Sequence, residues 1–367
     1  MCEVTAMTPR ERYIRTLHFQ TADRVPLVEW PIRGATMARW LKEGYPEGVE
    51  SEQYFHLDRY AVGVPIDTSM RPRFEEKVLS LEGNYKIWQD DLGAIRKDFA
   101  NTEHPGFVTR SWLKFAVHDR ASFMEMTKRY DPADVGRLAP DLAAAFETLN
   151  RQTDAPSHLC IPHLFWTVRD WVGFENLCTM FYDDPELVAD MFNFLTDFFI
   201  ETLRPVIDQV QVDMVELKED MAYKGAPMIS PAMFKKFMYP GYVKLISFLK
   251  SHGAGMVFVD CDGYPGNALT ALWMDSGVDG VSPCEVAAGN DLLQLRRDFP
   301  SLVLFGGIDK RALAKGKREI EEEVYSKVPQ LLETGGYIPH IDHAIPYDVP
   351  LQNYLYYREV LEKIVKG

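Results

Sequence analysis

Eight short apolar runs punctuate this chain, and most of them end in acids, histidines or glycines. The last four are the clearest: 255–263 reads GMVFVDCDG, 277–285 GVDGVSPCE, 301–309 SLVLFGGID and 335–343 GGYIPHIDH. Segments of helical character separate them. Strands that alternate with helices pair in parallel, because a parallel neighbour needs a crossover rather than a tight turn. Eight such units predict an α/β fold, a (β/α)8 TIM barrel. In that architecture the C-terminal ends of the strands form the working face. The polar ends of the runs therefore mark candidate chemistry before any motif is considered.

The 367 residues suit a single barrel domain over 1–367, with an insertion at about 67–157 where the alternation lapses and the barrel mouth would be partly covered. A hydrophobic fraction of 46% supports a sizeable core. Net charge is −14 and no basic stripe is visible, which argues against a nucleic-acid partner. The five cysteines (Cys2, Cys160, Cys178, Cys261, Cys284) show no paired spacing. Near the N-terminus stand Glu3, Arg10, Glu11 and Arg12 rather than an apolar leader, and no run reaches membrane-spanning length. The expectation is a cytoplasmic chain with free thiols, off the membrane.

Thr8, Pro9 and Glu11 have the spacing of a capping box with proline at the first helical position, so a helix is expected to about His18. Strands are expected over 25–30, 60–66, 159–165 and 213–220, and a hairpin around Gly83-Asn84 within 74–89. Helices are expected over 114–130, 140–151 and 185–209. Another starts at Pro231, capped by Ser230, and stops at Gly253, with Pro240 kinking or splitting it. Further helices are expected near 266–275, 288–298 and 311–333, and a closing one over 350–365 capped by Asp348.

The strand ends collect Trp30, Arg33, His163, Glu219, Asp220, Asp260, Asp262, Glu285, Asp309, Asp342 and His343. So many carboxylates at one mouth call for a metal ion, for Lys or Arg partners, or for a substrate that needs acid–base help. Side chains two apart on a strand share a face, so Asp260 and Asp262 can meet one ligand, with His343 reaching it from the last strand. Two carboxylates and an imidazole suit zinc, manganese or iron; as helix caps and ion-pair partners the same residues would be structural. Cys261, between the acids, should point into the wall as an inert thiol. Arg33 could hold a carboxylate or a structural salt bridge, and His163 could serve the site or the core. Trp30, Phe165, Trp166, Trp171 and Tyr337 could wall a flat ligand or simply pack. Gly306-Gly307 lacks the spacing of a phosphate loop.

The stretch TPRERYIRTLHFQTADRVPLVEW (8–30), together with SPAMFKKFMYPGY, GGIDKRAL and GGYIPHIDHAIPYDVP, resembles the uroporphyrinogen decarboxylase superfamily. It is most similar to the decarboxylase-like branch associated with corrinoid-dependent methyltransferases. The resemblance covers most of the chain, is weakest over about 67–157, and implies a β/α barrel. The decarboxylases carry Arg-Gln-Ala-Gly-Arg after the first strand, which Arg33-Gly34-Ala35-Thr36-Met37 matches with Met37 in place of the second arginine. Their Gly-His-Gly falls on Asp342-His343-Ala344, and their Asp after the second strand aligns loosely with Asp67. The tyrosine expected after the third strand is not evident near Asp170-Trp171. The methyltransferase zinc motif Val-His-x-Cys-Gly lies over Val259-Asp260-Cys261-Asp262-Gly263, and His343 stands where that branch has its last Cys. An alternative alignment keeps Cys261 as the ligand.

The resemblance implies a metal-assisted methyltransferase that moves a methyl from an O- or N-methylated small molecule to a separate corrinoid protein. Zinc or another divalent transition metal would sit on Asp260, Asp262 and His343 with Glu219. His343, Asp260 and Arg33 would act in catalysis, and Trp30, Arg33, His163, Trp166 and Tyr337 would bind substrate. The sequence has no Asp-x-His-x-x-Gly signature, so the cobalamin would be carried by the partner. Relatives suggest a monomer or homodimer. The alternatives are a decarboxylase of uroporphyrinogen or another acidic substrate, with Arg33 as the anchor, and a non-catalytic corrinoid or tetrapyrrole binder.

Overall fold

The computed structural model describes residues 7–100 and 111–367. Cys2 and Glu3, and part of the expected insertion, lie outside the described residues.

Seven strands form one parallel sheet in chain order: Val62–Gly63, Ser157–Pro162, Met214–Lys218, Met256–Asp260, Gly280–Ser282, Val303–Phe305 and Tyr337–Ile338. Helices separate the strands from Ser157 onward, as the alternation predicts. Segment 25–30 forms no ladder. It instead exchanges two bonds with Asp58: the Asp58 N–H donates to the Leu27 carbonyl and the Leu27 N–H to Asp58 Oδ2, both at 2.8 Å. A single parallel bridge then joins Ile32 to Ile345. The second expected strand, 60–66, shrinks to two paired residues.

Alternation along the strands separates two cores. Val215, Leu217, Val257, Val259 and Leu304 pack in the large outer cluster with the helices. Met214, Met256, Phe258, Val303, Phe305 and Ile338 form a separate inner cluster with Val28, Tyr13 and Leu17. The last two come from the first helix, Pro9–Leu17, whose capping box at Thr8 and Glu11 is formed. The same inward register then becomes polar, with Glu216 and Lys218 above Met214 and Asp260 above Phe258.

Several boundaries differ from the sequence reading. The strand expected over 159–165 stops at Pro162, because the apolar run continues into the buried helix Leu164–Val172. As expected, Pro240 splits its segment, into Pro231–Phe237 and Tyr239–Ser251. The helix expected over 311–333 is three pieces, Lys310–Leu313, Lys317–Tyr325 and Val328–Thr334. Pro350, not Asp348, precedes the closing helix Leu351–Lys366, with no side-chain cap. The expected hairpin is present, and its strands Lys77–Glu82 and Tyr85–Gln89 belong to a four-stranded antiparallel sheet with Ile95–Phe99 and Ser111–Lys114. No described helix is long and apolar enough to cross a membrane.

Phe258 is fully buried, and its ring centroid lies 4.9 Å from that of Phe305. Phe258→Ala is expected to cost about 3–5 kcal/mol. Chemical denaturation checks this; a loss below about 1 kcal/mol would show that the inner layer is not a packed floor.

Candidate functional site

The strand ends open onto a pocket of about 650 Å³ lined by Arg33, Asp262, Glu285, Lys310, His343 and Tyr347. His343 Nε2 donates to Asp262 Oδ2 at 3.0 Å, and Arg33 Nη2 lies 3.3 Å from His343 Nδ1. Trp30 stacks on the same imidazole, with centroids 6.1 Å apart. Residues from the first, fifth and eighth of the expected units thus meet at one ring. The Asp262 carboxylate raises the His343 pKa above the ordinary histidine value, against the opposing pull of burial.

Local backbone explains why Asp262 reaches His343. The strand ends at Asp260, so alternation no longer governs residue 262. Asp220, at a left-handed φ of 42°, accepts the Asp262 N–H through Oδ1 at 3.1 Å. Gly263 follows at φ 85°, where an added Cβ would come within 2.6 Å of the Ala222 backbone. The opposite rim is braced by Lys310, which donates to Glu285 Oε1 at 2.7 Å and to Asp342 Oδ1 at 3.3 Å. Asp342 also accepts the Val286 and Lys310 backbone N–H groups.

The structure separates the other expected residues. Asp260 faces Glu216 and Lys218 inside the sheet; burial, then the Glu216 charge, pushes its carboxyl well above the usual range. Glu219 is fully buried elsewhere. Its Oε1 lies 2.5 Å from His163 Nδ1 and accepts from the Tyr242 hydroxyl, while Oε2 accepts the Phe165 N–H at 2.7 Å. It thereby caps the helix Leu164–Val172. His163 is sealed beside it, and Tyr337 is buried in the outer core, donating to the Gly306 carbonyl at 2.9 Å. Trp166 lies under the Arg169 guanidinium, 5.1 Å from ring centroid to carbon. Cys261 is buried among outward-facing residues, and desolvation raises its thiol pKa.

These positions bear on a metal. Glu219 is committed to four neighbouring groups, the His163 ring, the Tyr242 hydroxyl and the Phe165 and Trp166 N–H groups; Asp260 turns to Glu216, and a guanidinium faces the imidazole of the Asp262–His343 pair. Among the described residues, no three His, Cys, Asp or Glu side chains are gathered to hold an ion. The four-residue set does not fit a single metal in this arrangement.

A polar group that motif matching passed over lies inside the sheet. His158 Nε2 is 3.0 Å from Glu216 Oε2, and Lys218 Nζ is 4.0 Å from Glu216 Oε1. Burial pushes the Glu216 carboxyl up, but His158 and Lys218 outweigh it and leave the group below its usual range. Cys160, on the neighbouring strand, is pushed up to about 12 by burial and by Glu216. The signal was present in MVELK, where period-2 spacing sends Met214, Glu216 and Lys218 to one face.

The family model for uroporphyrinogen decarboxylase (URO-D) matches residues 168–364, more than half of the chain. The chain belongs to this family. Among solved structures it is similar to a methyltransferase from Methanosarcina mazei, at 14% identity and a TM-score of 0.62, covering 97% of this chain and 99% of that one. It is also matched to a putative vitamin-B12 independent methionine synthase from Listeria monocytogenes, at 11% identity and a TM-score of 0.36, over 94% and 98% of the two chains. The first likeness supports the URO-D fold over nearly the whole length. No curated protein matches the chain.

Asp262→Asn is expected to lower the His343 pKa, since the charge that favours the imidazolium is gone. Histidine NMR titration checks it: the wild-type midpoint should exceed 6.5 and the variant's should be lower. Equal midpoints would show that the two side chains do not pair. Glu219→Gln should cost about 1.5–3 kcal/mol in denaturant unfolding, because it weakens charge-assisted bonds in a sealed site.

Proposed function

We propose that this URO-D family member is a methyltransferase that takes a methyl group from an O- or N-methylated small molecule and passes it to a corrinoid held by a separate protein. We also propose that segment 25–32 completes an eight-stave barrel forming one domain. The observation that carries the functional reading is the Asp262–His343 pair, a proton donor set in a pocket poor in uncommitted positive charge. Demethylation leaves an electron pair on the departing oxygen or nitrogen, and that atom needs a proton. The corrin supplies the nucleophile that accepts the methyl. Once substrate displaces Arg33 Nη2 from Nδ1, His343, charged with the help of Asp262, carries a proton on Nδ1 and gives it to the leaving heteroatom, which takes the place of that guanidinium nitrogen. Trp30 lies against one face of the imidazole, with ring centroids 6.1 Å apart.

The cations of the pocket favour this over uroporphyrinogen. They are Arg33 and Lys310, and Lys310 is already held by Glu285 and Asp342. A substrate with eight carboxylates needs several cationic anchors, and Met37 stands where the decarboxylases have their second arginine. A second reading, decarboxylation of a smaller acid, is favoured by one contact: Arg33 beside His343 would hold a carboxylate next to a proton donor.

The test supplies free cob(I)alamin with a panel of methyl ethers and methylamines and follows methylcobalamin formation and carbon dioxide release separately. Methylcobalamin should form, and His343→Ala should slow it by about 10²–10⁴-fold. The rate should decline as pH rises through the raised His343 pKa, because the acid form is the donor, and Asp262→Asn should move that decline to lower pH. Carbon dioxide without methylcobalamin would favour the second reading and sink the first.

A further inference from the structure

The strand Lys77–Glu82 ends the small antiparallel sheet, and no strand among the described residues pairs with its outer edge. All six of its residues are exposed. Three are apolar: Val78 is 58% exposed, Leu79 48% and Leu81 71%. Such an edge presents a row of backbone N–H and C=O groups that another strand can take, and native edges are usually short, charged or covered. This one carries charge only at its two ends, Lys77 and Glu82. The small sheet is inserted between the parallel strands Val62–Gly63 and Ser157–Pro162 and takes no part in the parallel sheet.

Register decides what the edge can accept. Against the neighbouring strand Tyr85–Gln89, Lys77 pairs with Gln89, Val78 with Trp88, Ser80 with Ile87, Leu81 with Lys86 and Glu82 with Tyr85. The register shifts between Val78 and Ser80, so Leu79 is the extra residue of a bulge. Because side chains alternate along the neighbouring strand, Lys77, Ser80 and Glu82 share one face, and Val78 and Leu81 the other. An unbulged strand would put Lys77 and Glu82 on opposite faces. With the bulge, the edge reads charge, apolar, hydroxyl, apolar, charge in either direction, and the two charges are opposite in sign.

A two-fold axis through Ser80, normal to the sheet, sets two such strands antiparallel with their faces matched. Lys77 then stands opposite Glu82 of the second copy, and Val78 with Leu79 opposite its Leu81; the symmetry makes each contact twice. Glu82 also binds Lys97 of its own chain at 2.8 Å, and a carboxylate can accept from two cations. The sheet's other edge strand, Ser111–Lys114, offers no such match, since its one charge is Lys114. We propose that the edge Lys77–Glu82 is an interface for a second copy of this chain, joining two four-stranded sheets into one. Main-chain bonds supply the affinity, and the Lys77–Glu82 pairs select the register. The inference is independent of the reaction proposed above.

Sedimentation equilibrium of the full chain at low salt, from about 1 to 100 µM, tests it. The wild-type chain should dimerise within that range. Lys77→Glu alone sets two Glu–Glu contacts across the axis, and Glu82→Lys alone two Lys–Lys contacts. Each should weaken dimerisation about tenfold or more. An equimolar mixture of the two variants should form heterodimers more tightly than either variant pairs with itself, since both contacts are then opposite in charge. Leu81→Asp, at a position exposed to solvent, should leave a monomer with an unchanged unfolding midpoint. A wild-type chain that stays monomeric throughout, a dimer indifferent to both charge reversals, or a mixture that associates no better than its components overturns the proposal.

Discussion

The inward-facing positions of the parallel strands must change character within two or three residues, and the rest of the molecule follows from that change. Met214, Met256, Phe258, Val303 and Phe305 make a dry floor, which Tyr13 and Leu17 seal from below. One step along the same strands stand Glu216, Lys218 and Asp260. Polar groups placed directly on an apolar layer lose much of their water, so their ionisation depends on one another. This is why Asp260 and Cys160 are pushed up while Glu216, with His158 and Lys218 beside it, stays charged. Among the described residues of these strands, the inner surface changes from apolar side chains to groups that can change charge toward the strand ends.

The strand-end loops have little regular pairing, and buried carboxylates hold them instead. Asp342 binds the N–H groups of Val286 and Lys310, Glu29 those of Trp30 and Ile341, and Glu219 that of Phe165. Each joins segments that follow different strands. A carboxylate accepting backbone N–H bonds in a sealed place gives strong, directional restraint. The consequence is a division of labour among acids of identical type. Glu219 and Asp342 spend their oxygens on backbone, and Asp262, with its side chain 38% exposed, keeps one oxygen toward the pocket. The loops around the His343 ring are therefore held by acids other than the one paired with it.

That division also explains what the primary structure disclosed. The parallel sheet was legible because period-2 runs alternated with helical ones, and the split at Pro240 because proline cannot continue a helix hydrogen-bond ladder. The meeting of Asp262, His343 and Arg33 across some 310 positions followed from strand ends sharing one face. The strand over 159–165 was read too long because Leu164, Phe165 and Trp166 are as apolar as the strand before them; burial of a helix on all sides erases its period. Glu219, His163 and Tyr337 were misplaced for a different reason. An acid that caps the next helix and an acid that serves a substrate occupy the same place in a strand–loop–helix sequence, and only side-chain direction separates them. Asp260 and Asp262 were expected on one face, but the strand ended between them and alternation lapsed.

Net charge and local charge act on substrate choice through different distances. The chain carries −14, and the Debye length is about 8 Å at physiological ionic strength, so the total is felt mainly near the surface. A polyanion approaching the mouth meets Glu285 and Asp342 sharing the single Lys310 ammonium, and would have to displace one of them to reach that charge. A neutral ether or an ammonium compound displaces no ion pair at all. It meets Trp30, whose ring lies against His343 and which also lines an inner cavity of about 380 Å³. The indole lies between the His343 imidazole and the inner cavity, so a substrate that stacks on it would be oriented before any bond breaks. Orientation of that kind needs no extra cations, and the ordinary acidity of the surface then works with it by lowering the local concentration of competing acids.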